Sequence, residues 1–278
     1  MIRKQIKIPL NEEQQLLLVP IGDIHWDTEE SDQERFFRFV QWVKQQEHRG
    51  AIVRIIGMGD YLDFASPSER YKIASADLHD GSYVTLDKER LARVREFYSV
   101  IKPIRHCFIG LLTGHHHHLF FTQKGAGAWK GKSSDAWLAH ELGCSYFGNG
   151  VALLRLALPH RQHLDVLALH GNGGAQTPGG RVMKRIRYAE IAPTAHIVIS
   201  GHDNAKLAYP RSGLDYDHGS IKRYVIGSGA FQRAYLEGEE AGYAEKMGLV
   251  PADLGIVVVS IHVEKRNGKY RVDYHASV

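Results

Sequence analysis

Apolar runs of strand length punctuate the chain: LLLVPI before Gly22, AIVRIIGM before Gly59, HCFIGLL before Thr113, LDVLALH ending at His170 and HIVIS ending at Ser200. Each stops at a glycine-containing turn. Between them, apolar residues recur at helical spacing. The segment from Ser31 to Glu47 sets Phe36, Phe37, Val40 and Val43 on one face, and Asp87 to Val100, Ser133 to Leu142 and Arg181 to Ile191 also read as helices. Strands alternating with helices predict an α/β fold with a buried sheet.

Toward the C-terminus the rhythm changes. Strand-like segments from Val151 to Leu158, Lys222 to Ile226, Leu254 to Val263 and Tyr270 to His275 follow one another with fewer helices between them, which predicts a second, more antiparallel sheet. RNGK, from Arg266 to Lys269, reads as the hairpin turn joining the last two. The expected architecture is a four-layer α/β/β/α sandwich of two mixed sheets with flanking helices. No internal repeat, low-complexity tract or long linker interrupts residues 1–278, so a single domain is expected.

Composition narrows the classes. With 44% hydrophobic and 24% charged residues the chain is ordinary globular protein, which excludes disorder. A net charge of +4, from 35 Lys+Arg against 31 Asp+Glu, argues for neither a nucleic-acid nor a membrane partner. Cys107 and Cys144 lie far apart in apolar surroundings and read as core thiols in a reducing compartment, with neither a disulfide framework nor a cysteine-based metal site. The N-terminal segment does not fit a secretory signal, and runs such as GIVVVSI from Gly255 are too short to span a bilayer. A cytoplasmic protein with no membrane partner is expected. The 17 histidines are the number that changes the picture, and their positions decide what it means.

In α/β sheets ligands gather at the carboxyl ends of strands. Five such places carry polar residues beside a glycine: Asp23 and His25 in GDIHWD, Asp60 and Asp63 in GDYLD, His115 to His118 in TGHHHH, His170 in HGNGG, and His202 and Asn204 in SGHDN. Carboxylate oxygen with imidazole nitrogen suits Mn, Fe, Zn or Ni, and a shared carboxylate holds two ions about 3.5 to 4 Å apart. The bland reading of each residue is a turn cap, because Asp and His beside Gly commonly bond strand-end backbone. One such motif is weak; five in order are not.

The order D-x-H, GD-x-x-D, Gly-X-His, a strand-end His and G-H-x-X, spanning Asp23 to Asn204, resembles the calcineurin-like metallophosphoesterases, with an overall similarity to phage and prophage members. The resemblance implies hydrolysis of a phosphate ester by a metal-bound hydroxide at a dinuclear centre of two divalent transition metals. Asp23 and His25 would bind the first metal, Asp60 would bridge both, and His170 and His202 would bind the second. With Gly114 setting the register, His115 takes the place of the family's asparagine as a ligand and His116 that of the proton donor. Asn204 stands where the family has a histidine ligand to the first metal. These two departures imply a second site richer in nitrogen and a harder, weaker first site.

The implied substrate is a phosphomonoester or phosphodiester, with nucleotides or nucleic-acid ends as the class, and manganese as one candidate ion. Two other readings stay open. One is a nucleic-acid-binding or regulatory protein that kept the fold and lost turnover; the other is a metal-dependent hydrolase of a non-phosphate ester or amide. Asp63 reads as a group orienting a ligand or as a turn cap. HGNGGAQTPGGR, from His170 to Arg181, lacks the phosphate-loop pattern and reads as a mobile loop. Arg181, Lys184 and Arg187 could face a phosphate or simply solvent, and Trp26, Trp129, Tyr235 and Tyr243 could line a pocket or fill the core.

Overall fold

A computed structural model describes residues 1–76, 78–215, 219–238 and 242–278. The first half runs β1 (Ile2–Lys7), β2 (Leu16–Ile21), α1 (Gln33–His48), β3 (Ile52–Gly57), α2 (Pro67–Ser75), α3 (Asp80–Ile101), β4 (Phe108–Leu112), α4 (Gln123–Ala126) and α5 (Ser134–Leu142). The second runs β5 (Ser145–Gly148), β6 (Val151–Ala157), β7 (His163–Leu169), α6 (Pro178–Ala189), β8 (Ile197–Ser200), β9 (Lys206–Asp215), β10 (Gly219–Ala230), α7 (Tyr243–Lys246), β11 (Gly255–Ile256), β12 (Val258–Arg266) and β13 (Lys269–Ser277).

The strands form two mixed sheets. One has the order β13-β12-β2-β3-β4-β5, with β2 to β5 parallel; the other has β1-β6-β7-β8-β10-β11, with β9 on β10 and with β7, β8 and β10 parallel. Their facing sides share one apolar layer: Leu16, Leu18, Ile56 and Leu112 meet Leu154, Val166, Ile197 and Ile226. On the far side of the first sheet, Leu17, Val19, Val53 and Ile55 pack against α1, α3 and α5 through Phe36, Val94, Phe97 and Leu138. On the far side of the second, Leu167, Val198 and Val225 pack against α6. Burial on both faces explains why β2 is apolar at every position rather than alternating. The result is the expected α/β/β/α sandwich.

Chain order does not sort the sheets as the sequence suggested. The terminal hairpin β12–β13 does not extend the second sheet; it returns antiparallel to β2 in the first. The apolar run from Leu254 to Val263 splits, β11 pairing with β10 in one sheet and β12 with β2 in the other, so the chain crosses between sheets at Val257. Apolar patterning reports that a strand is buried, and both sheets bury theirs. In α1 the buried face is Phe36, Phe39, Val40 and Val43, the proper helical spacing, whereas Phe37 is 47% exposed. Asp32 caps that helix by accepting from the Arg35 amide. Trp26 belongs to the core, Trp129 packs on its edge and Tyr235 is exposed; the side chain of Tyr243 lies outside the described residues. No described helix is long and apolar enough to cross a membrane.

Candidate metal centre

Five loops leave the carboxyl ends of β2, β3, β4, β7 and β8 and converge where the two sheets meet. Their backbones are interlocked: Asp23 N donates to the Gly59 carbonyl at 3.0 Å, Ile24 N to that of Asp60 at 2.8 Å, and Gly201 N to that of His170 at 3.0 Å. Of the eight non-glycine residues with positive φ among those described, five are motif residues: Asp23 (49°), His25 (47°), Asp60 (51°), His202 (72°) and Asn204 (52°). Side chains enter this left-handed region at a cost, and residues held there cluster at functional sites. Gly114 explains the third loop. A Cβ on it would stand 2.0 Å from Asp60 Oδ1 and 2.1 Å from Asp60 N, so the loop approaches the carboxylate only because the residue is glycine.

Three groups of ligand-type atoms result. Asp60, His115, His170 and His202 each offer one atom within 4.8 Å of the others, and so do Asp23, His25 and Asp60, and His25, Asp63 and His116. Asp60 is in the first two. The first sheet supplies Asp23, His25, Asp60 and His115, and the second supplies His170 and His202. Asn204 lies two residues beyond His202 in the same turn, part-buried.

The nitrogen atoms fit a cation. His170 Nδ1 donates to the Met58 carbonyl at 2.7 Å, which leaves Nε2 buried, without a hydrogen bond, and 3.2 Å from Asp60 Oδ2. His25 Nδ1 is likewise buried and without a hydrogen bond. His115 Nδ1 and His202 Nδ1 face each other at 3.0 Å, close to the spacing of two nitrogen ligands whose bonds to a common ion are about 2.1 Å. Electron-rich atoms this close need a proton or a cation between them.

Charge tells the same story. Burial, with Asp60 nearby, pushes the Asp23 carboxyl up to about 6 although His170 and His25 oppose it. Burial would also raise Asp60, but the close approach and charge of His170, with the charges of His25 and His116, hold it well below the carboxylate range. Burial would lower His170, yet Asp60 and Asp23 carry it up to about 9. His202, desolvated and beside His170 and His115, falls to about 4, and His115 is lowered by burial and His170. One proton on His170 therefore stands in for positive charge that the cluster of buried carboxylates requires.

The histidine run divides by its side chains. His115 joins His170 and His202, its ring centroid 4.7 and 4.4 Å from theirs. His116 turns to the other group: Nδ1 meets Asp63 Oδ1, its ring is 5.0 Å from His25, and its amide donates to Asp60 Oδ1 at 2.9 Å. His117 Nδ1 bonds the Gly114 carbonyl at 2.9 Å, and burial lowers its pKa to about 4. His118 is buried, with Nε2 2.9 Å from Asp87 Oδ1. Asp63 also lies 3.7 Å from His25 Nδ1 and takes the Asp27 carboxylate on its amide at 2.7 Å, so it links two site histidines as more than a turn cap.

Several functional supports escaped the sequence reading. Arg185 is fully buried and grips Asp203 with Nη2 at 2.6 Å and Nη1 at 2.9 Å, fixing the turn that carries His202 and Asn204. Lys184 and Arg181, read as phosphate-facing or solvated, instead brace the glycine loop: Lys184 Nζ donates to the Gly173 carbonyl at 3.0 Å and Arg181 Nε to that of Ala175 at 3.1 Å. Arg187 remains exposed. Asp135, buried under the third loop, accepts from Gly114 N at 3.3 Å and is pushed up to about 7 by burial and Asp60. Arg70 Nη1 binds the carbonyls of Ala65, His115 and His117 and lines a cavity of about 270 Å³ beside His115 and His170. Nothing in the sequence near Arg185 or Asp135 distinguishes them from surface charges.

No protein-family model and no curated protein sequence matches the chain. Solved structures match along its length with little identity. Vacuolar Protein Sorting 29 from Cryptosporidium parvum is 13% identical, covers 95% of this chain and 97% of its own, and has a TM-score of 0.39. Vps29 complexed with Zn+2 from Entamoeba histolytica is 9% identical over 94% of this chain and 98% of its own, with a TM-score of 0.37. A conserved protein from Streptococcus pneumoniae, a predicted phosphoesterase, is 12% identical over 94% of this chain and 88% of its own, with a TM-score of 0.30. Likeness of this degree carries no inference about chemistry, and none of the three lends support to a phage or prophage origin.

Proposed function

We propose that the chain is a metal-dependent phosphoesterase of the calcineurin-like type, acting on phosphomonoesters or phosphodiesters with nucleotides or nucleic-acid ends as the substrate class. The observation that carries the reading is Asp60, shared by two groups of ligand atoms. Asp23, His25 and Asp60, with Asn204, would hold one divalent transition ion of the Mn, Fe, Zn or Ni class; Asp60, His115, His170 and His202 would hold another. Such ions, when bound, supply an acidified water and offset charge on phosphoryl oxygens.

The remaining work falls to the protein's own groups. His116 rests Nδ1 on Asp63, so Nε2 is the atom left to deliver a proton to the departing oxygen. Asp63 fixes the orientation of that ring through its contact with Nδ1. Arg70 brings positive charge to the cavity that Asn172 and Tyr188 also line, where a phosphate's substituent can lie. At about 270 Å³ that cavity sits at the small end of ligand sites, which suits a nucleotide or chain end better than an embedded duplex.

The test is a panel of phosphomonoesters, phosphodiesters and nucleic-acid ends assayed with Mn2+, beside element analysis. Two Mn2+ ions per chain at the Asp60-centred groups and turnover on one class are expected, with that manganese and the turnover lost in Asp60→Asn. Two bound ions with no turnover on any phosphoester would transfer the fold to the binding or regulatory reading.

A further inference from the structure

At the opposite end of β4, Glu47, His106 and Cys107 each offer one ligand-type atom within 4.8 Å of the other two. Glu47 comes from the last turn of α1, and His106 and Cys107 close the short 3-10 turn Lys102–Cys107 that feeds β4. His106 Nε2 lies 2.8 Å from Glu47 Oε1, and Cys107 Sγ donates to the same oxygen at 3.3 Å. A surface ion pair accounts for the first contact. It gives no reason for a buried thiol to converge on the same carboxylate oxygen.

We infer that these three side chains form a second, independent metal site, for one zinc-class divalent cation. Thiolate, imidazole and carboxylate together are a donor set that zinc and cobalt prefer, and three protein ligands leave a fourth position for solvent. The separations of 2.8 and 3.3 Å are those of hydrogen bonds, and a tetrahedral ion with bonds of about 2.0 to 2.3 Å would open them only slightly, to about 3.3 and 3.5 Å. Cys107 is fully buried, Glu47 half-buried and His106 exposed, so the ion enters at the imidazole end and the sulfur is shielded from oxidants. On binding, the thiol proton leaves to solvent and the cation takes its place on sulfur. Five residues of β4, roughly 16 Å of strand, separate this site from the histidine loop, so one ion cannot serve both. The sequence hides the site because Glu47 lies 60 residues before Cys107.

Titrating the metal-stripped full chain with Co2+ alone tests this, because only sulfur ligation gives a near-ultraviolet thiolate-to-cobalt charge-transfer band. The Asp60-centred cluster contains no sulfur. The band should appear in the wild type, survive in Asp60→Asn and Cys144→Ser, and vanish in Cys107→Ser with one Co2+ fewer per chain. Absence of the band, its persistence in Cys107→Ser, or its loss in Asp60→Asn would overturn the proposal. Should Cys107→Ser fail to fold, Glu47→Gln substitutes for it: half-saturation of the band should need about tenfold more Co2+ or higher. An unchanged titration of Glu47→Gln would also overturn the site. The result is independent of whether the chain hydrolyses phosphate esters.

Discussion

His170 Nε2 stands 3.2 Å from Asp60 Oδ2 with no hydrogen bond of its own, its other nitrogen being committed to the Met58 carbonyl. In the metal-free protein this contact is an ion pair, with His170 raised to about 9. The pair's contribution is complete below the ordinary histidine value and is lost as pH rises through about 9. A divalent ion must displace that proton. Affinity at this group should therefore climb about tenfold per pH unit from about pH 7 and level off above about pH 9. Titration with Zn2+ against a competing chelator at several pH values measures the slope; a flat profile would show that His170 is not a ligand. His202 and His115, both lowered, are already neutral at pH 7 and add no slope.

The contact of His116 with Asp63 predicts a separation of chemistry from metal binding. His116→Ala should leave metal content unchanged and cut turnover on poor leaving groups by roughly a hundredfold, with a smaller loss on an activated aryl phosphate. Asp63→Asn should follow in the same direction, with metal content again unchanged. Loss of an ion in His116→Ala would put that histidine among the ligands instead.

Arg185→Ala leaves the Asp203 carboxylate, whose side chain is 2% exposed, without its bidentate partner and with the longer Lys184 Nζ contact at 3.4 Å. Breaking such a buried pair costs about 3 to 5 kcal/mol, which chemical denaturation will read. Replacing both partners, as Arg185→Met with Asp203→Leu, should recover much of that stability. It should not recover metal affinity, because Asp203 also fixes the His202 turn through the Ala205 amide at 3.3 Å.

Asn204→His places an imidazole two residues beyond His202, in the same left-handed turn. Affinity of the weaker ion should rise while the tighter binding step stays where it is. Turnover at saturating metal need not change, since only contacts strengthened in the transition state raise it. A titration in which neither step moves would exclude Asn204 from the ligand set.

Strand ends were readable because a buried strand is an unbroken apolar run, and a Gly beside Asp or His at its end survives as a short motif. Asp23, His25, Asp60, His115, His170 and His202 all converge for that reason. What sequence spacing does not carry is which sheet a buried strand joins, as β12 shows, or which of the four cations on α6 turns inward. Arg181, Lys184, Arg185 and Arg187 are alike in type, yet only Arg185 is buried, on the face of α6 that it shares with Ala189 four residues on. His117 and His118 likewise look like His115 until Gly114 and Asp87 claim them.

The amide of His202 reaches the carboxylate of Asp23 across 179 residues, at 2.9 Å. Closing a loop of that size is among the slowest and latest events of folding, since its entropy must be met before the contact returns anything. The group completed by His170 and His202 thus cannot exist in any intermediate that has formed only one sheet. Ions that bridge the two sheets would hold the finished protein shut without speeding its assembly, so chelation should accelerate unfolding and leave the refolding rate nearly unchanged.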